Sequence, residues 1–149
     1  MKNSELVVPW TIGQQDILEE EFNDCSVRAL ANTENISYEK AHLVLARAGR
    51  KEKTAVDFIA YAAFLVNRGY SVEFFGLNAG MKKLIKWKFN AEIKEEVSLS
   101  TLLKTKKYKT GKHIFGTCNH LFAVDSGRII DTGGTSLNAS VLEVFTPQF

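Results

Sequence analysis

Cysteine is scarce in this chain: two residues, Cys25 and Cys118, among 149. That is too few for a disulfide framework and suits a reducing compartment. Long apolar runs are also missing. The best, residues 58–66, is about half of what a bilayer span requires. Residues 1–15 carry one lysine and no apolar stretch of signal length. These absences predict a cytoplasmic protein without a membrane span. Charge of one sign is not in excess either, because the net charge of +2 implies no particular partner. There is no internal repeat and no low-complexity linker. What remains is a chain of 149 residues, 45% hydrophobic and 11% aromatic, which fits one globular domain over residues 1–149 with a real core.

The most informative stretch is Asn23-Asp24-Cys25-Ser26-Val27-Arg28-Ala29-Leu30-Ala31. Asn23 or Asp24 suits an N-cap, because a short side-chain oxygen there accepts a bond from a first-turn amide. Cys25 then takes the first helical position, and Val27, Leu30 and Ala31 form an apolar stripe. A thiol at a helix N-terminus feels the positive end of the macrodipole, which favours thiolate. Arg28, one turn on, adds positive potential, and Asp24 opposes it unless occupied elsewhere. The plain alternative is a small buried hydrophobe.

Upstream, residues 6–12 are short, apolar and interrupted by Pro9, as in an edge strand or an arm packed by Trp10. Asp16, Glu19, Glu20 and Glu21 read as a solvated helical face. Downstream, residues 32–35 read as a turn, and Ser37 as the cap of a helix over residues 38–48 that ends at Gly49. His42 in that helix reads as an ordinary surface or boundary histidine. Residues 54–57 resemble a capping box opening a third helix to about Asn67, apolar on most sides and therefore expected to be central. Residues 70–75 are strand-prone, and Ser98 or Ser100 suits the cap of a short helix through Leu102 and Leu103. After Gly111 the pattern turns to strands: 112–117, 120–125, 128–132 and 141–145. Helices first and strands later predict an α+β domain, with N-terminal helices packed on a C-terminal antiparallel sheet.

Asp125-Ser126-Gly127-Arg128 signals a tight hairpin. With Ser126 and Gly127 as the loop, Asp125 pairs with Arg128, Val124 with Ile129, Phe122 with Asp131 and His120 with Gly133. His120 and Asp131 then share a face on a diagonal, about 7 Å apart at the backbone. Asp131 is placed to accept a hydrogen bond from one ring nitrogen of His120 and leave the other to take a thiol proton. Nucleophilic thiol chemistry needs this set: a sulfur that attacks, an imidazole that keeps it ionised, and a group that orients the ring. It also needs oxyanion donors. The Cys25 amide is one, and Asn23, Gln15 and Gln14 are the local side-chain candidates. His113 has no acid at hairpin spacing and reads as a surface residue, and Cys118 as packed in the sheet or in a strand-end turn. Cys25, Cys118, His113 and His120 include only one close ligand pair, Cys118-x-His120, so no metal site is implied.

Asn23-Asp24-Cys25-x-Val27-Arg28-Ala29, a Tyr38 helix ending near Gly49-Arg50, and Asn119-His120-x-x-Ala123-Val124-x-x-Gly127-x-x-x-Asp131-Thr132 together resemble compact papain-like cysteine peptidase domains of bacteriophage and bacterial genomes. The resemblance implies a papain-like fold with the nucleophile at a helix start. It implies Cys25 as nucleophile, His120 as general base and acid, Asp131 as orienting residue, and a cysteine peptidase or isopeptidase acting on a protein or peptide in the host cytosol. No cofactor is implied. The family often has an oxyanion glutamine about six residues before the cysteine, but Glu19 stands there and cannot donate. The fold also carries non-catalytic binding proteins, such as a phage inhibitor of a host or defence protein.

A rival reading comes from residues 81–112, which hold ten lysines, Trp87 and Phe89, and three glutamates. Lysines neutralise phosphates and aromatics stack on bases. The stretch has no arginine, the residue that does most base-edge recognition, which argues against nucleic acid.

Overall fold

A computed structural model gives the fold and describes residues 7–8, 24–50, 58–77, 79–118, 120–130 and 136–149. It is an α+β domain in which helices precede most of a largely antiparallel sheet. Helix α1 (Cys25–Glu34) begins as expected, directly after Asp24. It then runs through the expected turn at Asn32 and Thr33, and the chain reverses at Asn35, in the left-handed region with φ 54°. The amides of Asn35 and Ile36 both return to the Ala31 carbonyl, which closes the helix end. Asn32 and Thr33 are buried, so tertiary packing overrides their preference for turns.

Helix α2 (Tyr38–Arg47) is capped by Ser37, whose hydroxyl accepts from the Lys40 amide at 3.1 Å. Helix α3 (Phe58–Asn67) differs from expectation. It buries only Tyr61, Ala62 and Leu65, while Val66 is exposed, so it covers the sheet from outside. The central helix is the less apolar α1, enclosed by the sheet on one side and α2 on the other. Strand β2 (Tyr70–Phe75) leads to helix α4 (Ala79–Phe89), strand β3 (Ile93–Lys94) and helix α5 (Leu99–Lys104). Ser98 caps α5 by accepting from the Thr101 amide, and a 3-10 turn follows at Lys106–Tyr108.

The remaining strands are β4 (Lys112–Gly116), β5 (Leu121–Asp125), β6 (Arg128–Ile130) and β7 (Glu143–Pro147), with β1 (Val7–Val8) added from the N-terminal side. The seven strands order as β1-β6-β5-β4-β7-β2-β3, antiparallel except for the edge pairs β1–β6 and β2–β3. The predicted hairpin is present: Asp125 pairs with Arg128, Val124 with Ile129 and Ala123 with Ile130. Ser126 at φ 53° and Gly127 at φ 79° form the primed turn that matches strand twist.

The sheet separates two apolar layers. One packs Leu30, Tyr38, Leu45, Tyr61 and Leu65 of α1–α3 against Phe74, Ile114 and Phe145. The other packs Leu99, Leu102 and Leu103 of α5 and Tyr108 against Phe115, Phe122, Val124 and Val144. Ile85 joins α4 to the first layer. The lysines of residues 81–112 therefore do not form one stripe, since those of α4 and those of residues 104–109 belong to opposite sides of the sheet. No helix among the described residues is long and apolar enough to cross a membrane.

Candidate active site

Cys25 opens α1, and that end of the helix rests on the start of β5. Its thiol is hydrogen-bonded to the His120 ring and to the Leu121 amide. His120 stands immediately before β5. Its carbonyl accepts from the Thr117 amide at 2.8 Å, which holds the turn between β4 and β5, and its ring lies 5.5 Å from that of Phe122. Burial alone would raise the thiol. The His120 hydrogen bond, the Leu121 amide and the positive charges of His120 and Arg28 outweigh burial and hold the thiol below its ordinary value.

The helix start itself departs from expectation. Asp24 occupies the cap position, but its carboxylate makes no capping bond. It accepts from the Tyr38 hydroxyl at 2.8 Å and pairs with Arg28 at 2.9 Å. The charge of the acid is thereby balanced beside the thiol, and its side chain does not occupy the first-turn amides. Tyr61 steadies the same turn by donating to the Ser26 carbonyl at 3.1 Å. Full burial drives its phenol well above its usual range, and negative charge on Tyr70, Cys25, Glu143 and Glu34 would act in the same direction.

Of the residues singled out by sequence, Cys25 and His120 are brought together. Asp131, Asn23, Gln15 and Gln14 lie outside the described residues, as do Asp16, Glu19, Glu20, Glu21 and the capping box at 54–57. Cys118 is in a strand-end bend, as expected, but exposed rather than packed. His113 is a correction: it is buried, not a surface residue. Its two ring nitrogens meet the Thr146 hydroxyl and the Thr110 carbonyl, each at 2.9 Å, and burial lowers its basicity. It belongs to the opposite end of the sheet, beside an open cavity of about 610 Å³ lined by Thr33, Lys107, Lys112 and Thr146.

Sequence reasoning missed Glu143. Leu121 of β5 pairs with Gly116 of β4, and Gly116 with Glu143 of β7, so the three share one cross-strand row on the α1 side. Glu143 is 2% exposed, and its Oε2 has no hydrogen-bond partner among the described residues. A Cβ on Gly116 would fall 2.7 Å from Cγ and Oε1 of Glu143, so the carboxyl lies across the glycine, one strand from the residue whose amide meets the sulfur. Burial pushes this carboxyl well above the usual carboxylate range, which favours its protonated form. The available signal was one acid inside the apolar run Val141-Leu142-Glu143-Val144-Phe145. Compared with models of known families, with curated proteins and with solved structures, the chain matches none of them.

Proposed function

We propose that this protein is a papain-like thiol hydrolase, a peptidase or isopeptidase acting on a protein substrate in the cytosol. The observation that carries the reading is the contact between the Cys25 thiol, at the start of α1, and the His120 ring, at the start of β5. In the reaction His120 takes the thiol proton and the thiolate attacks the substrate carbonyl. The oxyanion forms against the first-turn amides of α1, and the imidazolium then protonates the leaving amine. Water attacks the acyl-thioester with His120 again as base, releasing the acid and restoring the thiol. Asp131 is assigned the orientation of the ring. The missing cap bond at Asp24 favours this chemistry over a purely structural cysteine.

The test is the rate of Cys25 alkylation by iodoacetamide against pH, in a Cys118→Ser background, with and without His120→Ala. A free thiol titrates near pH 8.5, and an ion-paired thiolate reacts below about pH 7. The expected result is an acidic reactivity limb that moves up by one unit or more on loss of His120. An ordinary titration indifferent to His120 would leave a papain-like shape without the chemistry, and would favour a binding protein.

A further inference from the structure

Helix α4 presents a face that the proposed hydrolase does not use. Ile85 is buried and Phe89 is half-buried against the same layer, with its ring 5.5 Å from that of Phe74. That face holds the helix to the sheet. On the far side Trp87 is 81% exposed and Leu84 37% exposed, three residues apart and hence on one surface. Lys83 lies one turn before Trp87, with Lys86 on one flank and Lys88 beyond Leu84 on the other, while Lys82 stands at the helix start in the row of Ile85 and Phe89. All four lysines are exposed, and the helix has no acid. Lys86 makes one open pair with Glu92 at 3.6 Å, which contributes little. Among the described residues Lys82, Lys83 and Lys88 make no ion pair.

We propose that the α4 crest is a docking surface for an anionic lipid bilayer. Charge complementarity requires an anionic partner, and the shape of the face selects which. A single strand of nucleic acid is held in a basic groove with successive aromatic platforms. Here there is one exposed aromatic on a convex crest, and the lysines of residues 104–109 lie across the sheet, where they cannot extend a track. An interfacial helix has the features that are present: an indole and an aliphatic side chain that enter the headgroup region, ringed by lysines that stay at its surface. Each lysine near an anionic leaflet strengthens binding by about fivefold. The surface is far from the candidate thiol, since α4 sits by β2 and β3 while the thiol sits by β5.

The experiment is flotation of the intact chain with vesicles of phosphatidylcholine containing about one-third phosphatidylglycerol, beside vesicles of phosphatidylcholine alone. The expected result is binding to the anionic vesicles that falls about tenfold or more in Trp87→Ser, is lost in Lys83→Glu/Lys86→Glu, and weakens as salt is raised. Both substitutions are at exposed positions and leave the core untouched. No binding to anionic vesicles, or equal binding by Trp87→Ser, overturns the proposal. Binding to an oligothymidylate that is lost in the same variants, without vesicle binding, overturns it in favour of nucleic acid. Cys25→Ser is expected to float like the parent protein, so this inference and the hydrolase reading fail separately.

Discussion

Glu73 on β2 and Glu143 on β7 are neighbours in the register of two paired strands, where Glu73 faces Val144 and Phe74 faces Glu143. They project to opposite sides of the sheet and ionise in opposite directions. Burial opposes the charge of each. Glu73 overcomes it, because Lys107, Lys94 and the Tyr108 hydroxyl all donate to its oxygens, and its carboxyl is held down at about 2. Among the described residues no donor meets Oε2 of Glu143, and burial drives the carboxyl up. The lesson is that adjacent positions on two paired strands can move a carboxyl's acidity in opposite directions. Both the donors and the burial differ: Glu73 is half-buried among three donors, whereas Glu143 is fully buried.

The strongest way to break the contrast is to remove the space that Glu143 occupies. Gly116→Val puts branched carbons where even a Cβ would sit 2.7 Å from Glu143, in a sheet interior with no slack. The expected cost is about 3 kcal/mol, read by chemical denaturation at constant m. A cost below about 1 kcal/mol would mean that the carboxyl moves aside freely.

Glu143→Gln sharpens the contrast through pH. A carboxyl raised in the fold stabilises most below the ordinary carboxylate value, and that stability is lost as pH climbs to the raised value. Glutamine keeps the shape without the proton. The variant is expected to match the parent near about pH 4 and to gain roughly 1.4 kcal/mol per pH unit above that, up to the raised value. Parallel stability curves would show that Glu143 ionises normally in the fold.

Glu73→Gln is the smaller counterpart. A carboxyl depressed to about 2 contributes stability above the ordinary carboxylate value and loses it as pH falls toward the depressed one. The lysine partners are more than half exposed, so screening reduces the effect to about 1 kcal/mol at neutral pH. The variant's acid limb should flatten, and a cost above about 3 kcal/mol would mark Glu73 as a core residue rather than the centre of a surface network.

What was legible in the sequence was what local rules control. The start of α1 at Cys25, the Ser37 and Ser98 caps, β2, and the Ser126-Gly127 turn with its register each follow from a few adjacent residues. The approach of His120 to Cys25 was legible as chemistry, through residue types that need each other. Tertiary placement was not. The apolar α3 was expected at the centre and lies outside, because the sheet and α2 enclose α1 instead. Helix α4 buries Ile85 and leaves its lysines in solvent, so charge hid its period. Glu143 meets Gly116 only because β7 inserts beside β4, a pairing no local pattern encodes. His113 reads as polar and exposed until Thr110 and Thr146 satisfy both of its nitrogens.

The place of β7 also fixes an order of assembly. Among the described strands it is the last in the chain, yet it sits between β4 and β2 in the sheet. Among the described residues, the β4–β5–β6 meander and the β2–β3 pair are joined through the backbone by Leu142 and the β7 strand that follows it. Joining them closes a loop from Tyr70 to Pro147, a contact of long sequence separation that slows folding. On the ribosome the sheet therefore completes only after its C-terminal strand emerges. Cys25, synthesised early, meets His120 and Leu121 only once β5 has followed it from the ribosome.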